Sequence, residues 1–179
     1  NPLPPDTHES YEAAVTIMMR IVFLLFAEER GLLPAGELFE QGYGISRELD
    51  RLQGREAEES EEALGATSLT WHRLLATSRA LYGGASFENM RVPAYGGSLF
   101  DPARFPFLTA TTAHGTLAVT VSDRVMLQAL RSVQQAVLKG GEARRISFRD
   151  IDVEQIGYIY EGLLGYTAVT VDEAHVGLQ

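Results

Sequence analysis

The chain has 179 residues, 45% hydrophobic and 22% charged, with 24 acidic against 15 basic side chains and a formal net charge of −9. That composition suits one globular domain with a real core and excludes the disordered classes, and the absence of cysteine excludes a disulfide framework, a cysteine zinc site and a thiol nucleophile. The acidic balance opposes nonspecific attraction of the whole chain to nucleic acid or to an anionic membrane, so any DNA contact has to be local.

The first element is a helix around "AAVTIMMRIVFLLFA", residues 13–27. Thr16 and Arg20 interrupt its apolar run, so it is expected as a buried core helix and not as a membrane span or a signal peptide. Asp6 with Glu9 suits a capping box at its start, and Gly31 with Pro34 supplies a stop. The opening "NPLPPD" has no initiator Met, as expected of a piece of a longer chain.

A short amphipathic helix is expected from Ser46 to about Gln53, with Leu49 and Leu52 inward. The run that follows, about residues 54–66, is rich in Glu and is expected as a mobile acidic loop, because it has little apolar surface to bury. Ser68 is placed to cap the next helix, in which Trp71, Leu74, Leu75, Ser78 and Leu81 keep the helical period until Gly83 and Gly84; Trp71 is expected as a core anchor.

Residues 85–116 lose all periodicity, and their rings (Phe87, Tyr95, Phe100, Phe105, Phe107) are expected to be pinned against the helices, since otherwise they expose a large apolar patch. "TLAVTV", residues 116–121, alternates like a strand. Ser122 then caps a helix carrying Met126, Leu130, Val133 and Val137 that stops at Gly140 and Gly141. "RRISF", 144–148, is expected as a second short strand. The last helix carries Val153, Ile156, Tyr160, Leu163 and Leu164 as its apolar stripe, and Asp152 with Gln155 forms its capping box. Gly157 and Gly162 weaken that helix unless something packs closely against them. "TAVTVDEAHVGLQ" follows with weak strand character. The fold class expected is mainly α: an irregular helical domain with long loops and a small minor β element. No internal repeat is visible.

Chemistry-bearing constellations are sparse. His8, His72, His114 and His175 are isolated from one another, none at metal-ligand spacing. Glu28 and Glu29 are adjacent on a helix, about 100° apart, which suits solvated helix-end carboxylates better than an acid–base pair. Gly96 and Gly97 lack the Lys-Ser or Lys-Thr that completes a phosphate-binding loop. A basic stretch holds Arg131, Lys139, Arg144, Arg145 and Arg149 against Glu142 alone. Such runs usually pair with acidic surface elsewhere in the fold, and Arg144, Arg145 and Arg149 are the candidates for contact with a DNA backbone.

Four stretches, "YEAAVTIMMRIVFLLFAEERGLLP" (11–34), "YGGSLFDP" (95–102), "SDRVMLQALRSV" (122–133) and "ISFRDIDVEQIGYIYEGLLGY" (146–166), occur in an order that resembles the region just before the catalytic domain of large bacterial DNA adenine methyltransferases. These are the bifunctional type IIG restriction-modification enzymes and the related methyltransferases of the BREX and DISARM phage-defence systems. The resemblance implies a helical connector, residues 1–179, between an upstream portion, often a Mg²⁺-dependent nuclease, and an S-adenosylmethionine-dependent domain that flips an adenine out of the duplex and methylates N6. None of those catalytic elements lies in this sequence, so no catalytic, cofactor or metal residue is carried over, and the acidic run at 54–66 departs from the pattern.

The resemblance further implies that the partners are the neighbouring methyltransferase domain and, through the full-length protein, DNA, with no membrane and a cytoplasmic location. It makes Tyr95, Phe100, Tyr158, Tyr160 and Glu161 candidate docking residues, glycines permitting close approach and tyrosines offering an apolar body with a polar tip. A plain core helix is the competing role for residues 153–164. A free-standing helical interaction module is the alternative function, and a hydrolase using Glu28, Asp101 or His114 is a third possibility.

Overall fold

The computed structural model describes residues 3–95, 97–137, 143–145, 147–148 and 152–164, and for 136–137, 143–144, 159 and 161–164 the backbone only. The fold is mainly helical with small antiparallel β elements. Its centre is α1 (Thr7–Glu29), whose residues Ile21, Leu24 and Phe26 are almost wholly buried. The Asp6 side chain accepts a hydrogen bond from the His8 amide at its start. At its end the Gly31 amide donates to the Glu28 carbonyl and the Leu32 amide to the Ala27 carbonyl, with Gly31 at φ 66°. That reciprocal pair satisfies the last carbonyls, and the left-handed φ is why a glycine stands there. By length and composition α1 is apolar enough to cross a membrane, yet 61% of its most apolar window is buried inside this fold.

Around α1 lie α2 (Glu37–Gly42), α3 (Glu48–Glu58), α4 (Glu61–Gly65), α5 (Leu69–Gly83), α6 (Asp123–Gln134) and α7 (Val153–Leu164). Leu49 and Leu52 of α3 point inward, as their spacing predicts, and Trp71 of α5 is 1% exposed with its indole N–H on the Val119 carbonyl at 3.2 Å. One core gathers α1, α3, α5 and α6 with Phe100, Phe105 and Leu108 from the long connection between α5 and α6.

Several expectations are corrected. Residues 54–66 are not a loop: α3 continues to Glu58, Ser60 caps α4 through the Ala63 amide, and Leu64 is fully buried. The acidic run is ordered because its charges find cations and one leucine finds the core. Arg55 reaches Glu59 at 3.0 Å, and Arg131 of α6 pairs with Glu56. The α6 helix ends at Gln134, short of Val137, and residues 135–137 form β3 (Gln135–Val137), antiparallel to β4 (Ala143–Arg145) with Ala136 opposite Arg144. "RRISF" is thus a strand at its first residues. "TLAVTV" is not a strand beyond one bridge, Leu117 to Thr111. A hairpin that periodicity did not reveal joins β1 (Ala85–Phe87) to β2 (Met90–Val92) through Glu88, whose φ is 50°. Of the five rings in the irregular stretch, Phe100 and Phe105 are buried and Phe107 packs against the core, whereas Phe87 and Tyr95 are more than half exposed. Val153 is also exposed, so the inward stripe of α7 runs through Ile156 and Tyr160. The expected stop at Gly140 and Gly141 and the strand character after residue 166 lie outside the described residues.

Candidate functional site

Three stretches that are far apart in sequence meet on one side of α1. Thr16 and Tyr160 share a hydroxyl–hydroxyl hydrogen bond of 3.0 Å that ties α7 to α1. One turn on, Arg20 donates from Nε to the Leu99 carbonyl at 2.7 Å, with its guanidinium 5.9 Å from the Phe100 ring centre. Phe23 meets Phe100 edge-on at 5.5 Å, and Arg104 stands over both Phe105 (5.3 Å) and Tyr160 (5.6 Å). Arg20 is 4% exposed. Burial pushes its guanidinium below the usual arginine range, with neighbouring Arg104 in the same direction, while Tyr160 and Asp101 oppose the shift. In the sequence Arg20 reads as an interruption of an apolar run; nothing in its spacing shows that the 95–102 stretch supplies its acceptor.

A second polar cluster locks α3, α5 and α6 together. Asp123, 0% exposed, accepts from the Thr70 amide at 3.0 Å, from Arg55 at 2.9 Å and from the Thr67 hydroxyl. Its desolvation disfavours ionisation, but the bonds from Thr67, Thr70, Arg55 and the Leu69 amide together hold its carboxyl below the ordinary range. Ser68 makes no side-chain cap on α5; the carboxylate of Asp123, from another helix, does that work instead. The Thr70 hydroxyl donates to Glu48, itself 2% exposed and paired with Arg73 at 3.1 Å and with Arg51. Arg73 then donates to the carbonyls of Gln41 and Gly44, closing the end of α2.

The acid candidates are structurally engaged. Both oxygens of Glu28 accept backbone amides, Ile45 at 2.6 Å and Ser46 at 2.9 Å, and Glu29 accepts from the Ser147 hydroxyl and the Phe148 amide. The two carboxylates therefore staple the end of α1 to two other segments and are more than solvated helix ends. Asp101 accepts the Ala103 amide in a local turn, and His114 is exposed in the connection before α6. Among the described residues no three His, Cys, Asp or Glu side chains are grouped as metal ligands.

Of the backbone-contact candidates, Arg145 pairs with Asp50 at 2.7 Å, and Arg131 of the same stretch pairs with Glu56, so both face acidic partners within the fold. Arg144 is described in its backbone alone, and Arg149 lies outside the described residues. The docking candidates divide. Phe100 is buried and Tyr160 holds the seam to α1, whereas Tyr158 is 73% and Tyr95 55% exposed, Tyr95 with its hydroxyl 3.4 Å from the Leu32 carbonyl. The Glu161 side chain is outside the described part. Gly157 shows nothing within 4 Å of the position a Cβ would take, so among the described residues no group requires a glycine there.

No protein-family model, curated protein or solved structure matches the chain.

Proposed function

We propose that the chain is the non-catalytic helical connector of a DNA adenine-N6 methyltransferase or bifunctional restriction-modification enzyme, and that it helps position the S-adenosylmethionine-dependent domain and DNA. The observation that carries this reading is the convergence on α1 of the stretches in which the resemblance lies: Thr16 with Tyr160, and Arg20 with Leu99 and Phe100. A scaffold of this kind needs a rigid joint and a free docking face. The joint is the α1–α7 seam. The face is the outer side of α7, where Val153 and Tyr158 are exposed and Gly157 leaves room for a close approach. Methyl transfer belongs to the following domain and its cofactor, and any Mg²⁺-dependent cleavage to an upstream one.

Fluorescence anisotropy with duplex DNA at low salt, on this chain and on the same chain extended through the following domain, tests the proposal. Binding and adenine methylation by the extended protein alone are expected. An extended protein that neither binds duplex nor methylates adenine sinks the reading and leaves a free-standing interaction module as its successor.

A further inference from the structure

Beside Arg20 the wall of the fold opens into a cleft of about 620 Å³, within the size range of small-molecule sites. Arg20 lines it, and although its side chain is 4% exposed, only Nε has a protein acceptor; among the described residues none meets the two terminal nitrogens. Those two nitrogens are not enclosed, since among the described residues Gln134 Oε1 is the one fully buried side-chain polar atom without a partner; they meet solvent in the cleft and can take an acceptor from it. Among the described residues no carboxylate lines the cleft. Asp101 acts on Arg20 only at a distance, forms no ion pair with it, and is opposed by Arg104.

A second arginine stands on the same wall. Arg79 is exposed on α5 and has no ion-pair partner among the described residues, and His72, two turns earlier on the same face, has Nδ1 on the Ser68 carbonyl. In a chain of net charge −9 this is a local cationic spot. Much of the remaining lining is apolar, with Leu75, Phe105, Leu108 and Leu117. The cleft therefore offers both donors and apolar surface, and the free edge of a guanidinium presents paired N–H groups that match the two oxygens of a carboxylate or phosphate.

We propose that this cleft binds a small amphipathic oxyanion, a phosphate or carboxylate carried on an apolar body about the size of one ring, with Arg20 and Arg79 on the anion. The site goes beyond the connector function and does not depend on it.

Titration calorimetry of the 179-residue chain with phenyl phosphate, phenylacetate and neutral 2-phenylethanol tests it. At least one anion is expected to bind saturably and about tenfold or more tighter than the alcohol, the margin of a charge-assisted hydrogen bond. Which anion binds identifies the headgroup. Arg79→Ala is expected to weaken that binding severalfold, and Ala76→Trp, which fills the cleft from an exposed helix position, to abolish it. Both sites are exposed, and an unchanged circular dichroism spectrum verifies each fold. The site is refuted if neither anion outbinds the alcohol, or if binding survives both substitutions unchanged.

Discussion

Asp123 stands at the first turn of α6 with its carboxylate fully enclosed and donors from three segments upon it. Because its folded-state pKa lies below the ordinary value of about 3.9, its contribution is complete above that pH and is lost as pH falls through the lowered value. Asp123→Asn is therefore expected to cost about 2–3 kcal/mol at neutral pH, since it leaves Arg55 without its buried partner and disturbs the cap of α5. The difference from wild type should shrink below about pH 4. Urea midpoints of both proteins across that range check this, and a difference that grows toward acid would contradict it. The sequence holds Asp123 at the start of an amphipathic helix and marks Ser68 as a cap, but it carries no sign that the aspartate reaches across to α5. Side-chain hydrogen bonds between segments 53 residues apart depend on packing, and local spacing does not encode them.

In α7 the spacing holds for the cap and for two stripe residues, while Val153 is exposed. Its Asp152–Gln155 capping box forms in both directions, at 3.1 and 2.8 Å, and Ile156 and Tyr160 face α1 as their interval requires. Gly157 is the element's anomaly, exposed and with open space where a Cβ would go. Gly157→Ala is expected to stabilise the isolated chain by up to about 1 kcal/mol, as alanine does in an exposed helix interior. In the proposed connector role it should at the same time weaken association with the methyltransferase domain. Thermal denaturation of the chain and a binding assay between separately produced domains read the two effects. A stabilised variant that docks as well as wild type would remove Gly157 from the docking face. The run 54–66 is the opposite case, in which composition alone misleads. Its acidic character suggests a solvated loop, yet cations at Arg55 and Arg131 and the burial of Leu64 hold it in α3 and α4.

At the scale of the whole molecule, α1 joins everything. It supplies the largest part of a single core, takes α7 through Tyr160 and the 95–102 stretch through Arg20, and with Glu28 and Glu29 holds two backbone segments at its end. A fold built on one shared helix should unfold as one unit. Urea transitions followed by far-ultraviolet circular dichroism and by the fluorescence of Trp71, the lone tryptophan and a residue of that core, are expected to coincide. Separate midpoints would mean that α7 or α4 melts on its own. The charge of the molecule also closes on itself at this scale: Arg131 and Arg145 of the basic stretch lie against Glu56 and Asp50.

Local spacing alone specifies the helical class, the buried face of α1, the inward leucines of α3, the core position of Trp71 and the caps at Asp6, Ser122 and Asp152. These follow from intervals of three or four residues and from backbone groups within one helical turn, so neighbours in sequence suffice to specify them. Long-range packing settled that Arg20 is buried beside a cleft, that Asp123 caps a foreign helix, that the acidic run is helical, and that Val153 is left outside the stripe that Tyr160 keeps. Each of those depends on a partner far away in the chain, and desolvation, ion pairing and close packing take effect only once that partner arrives.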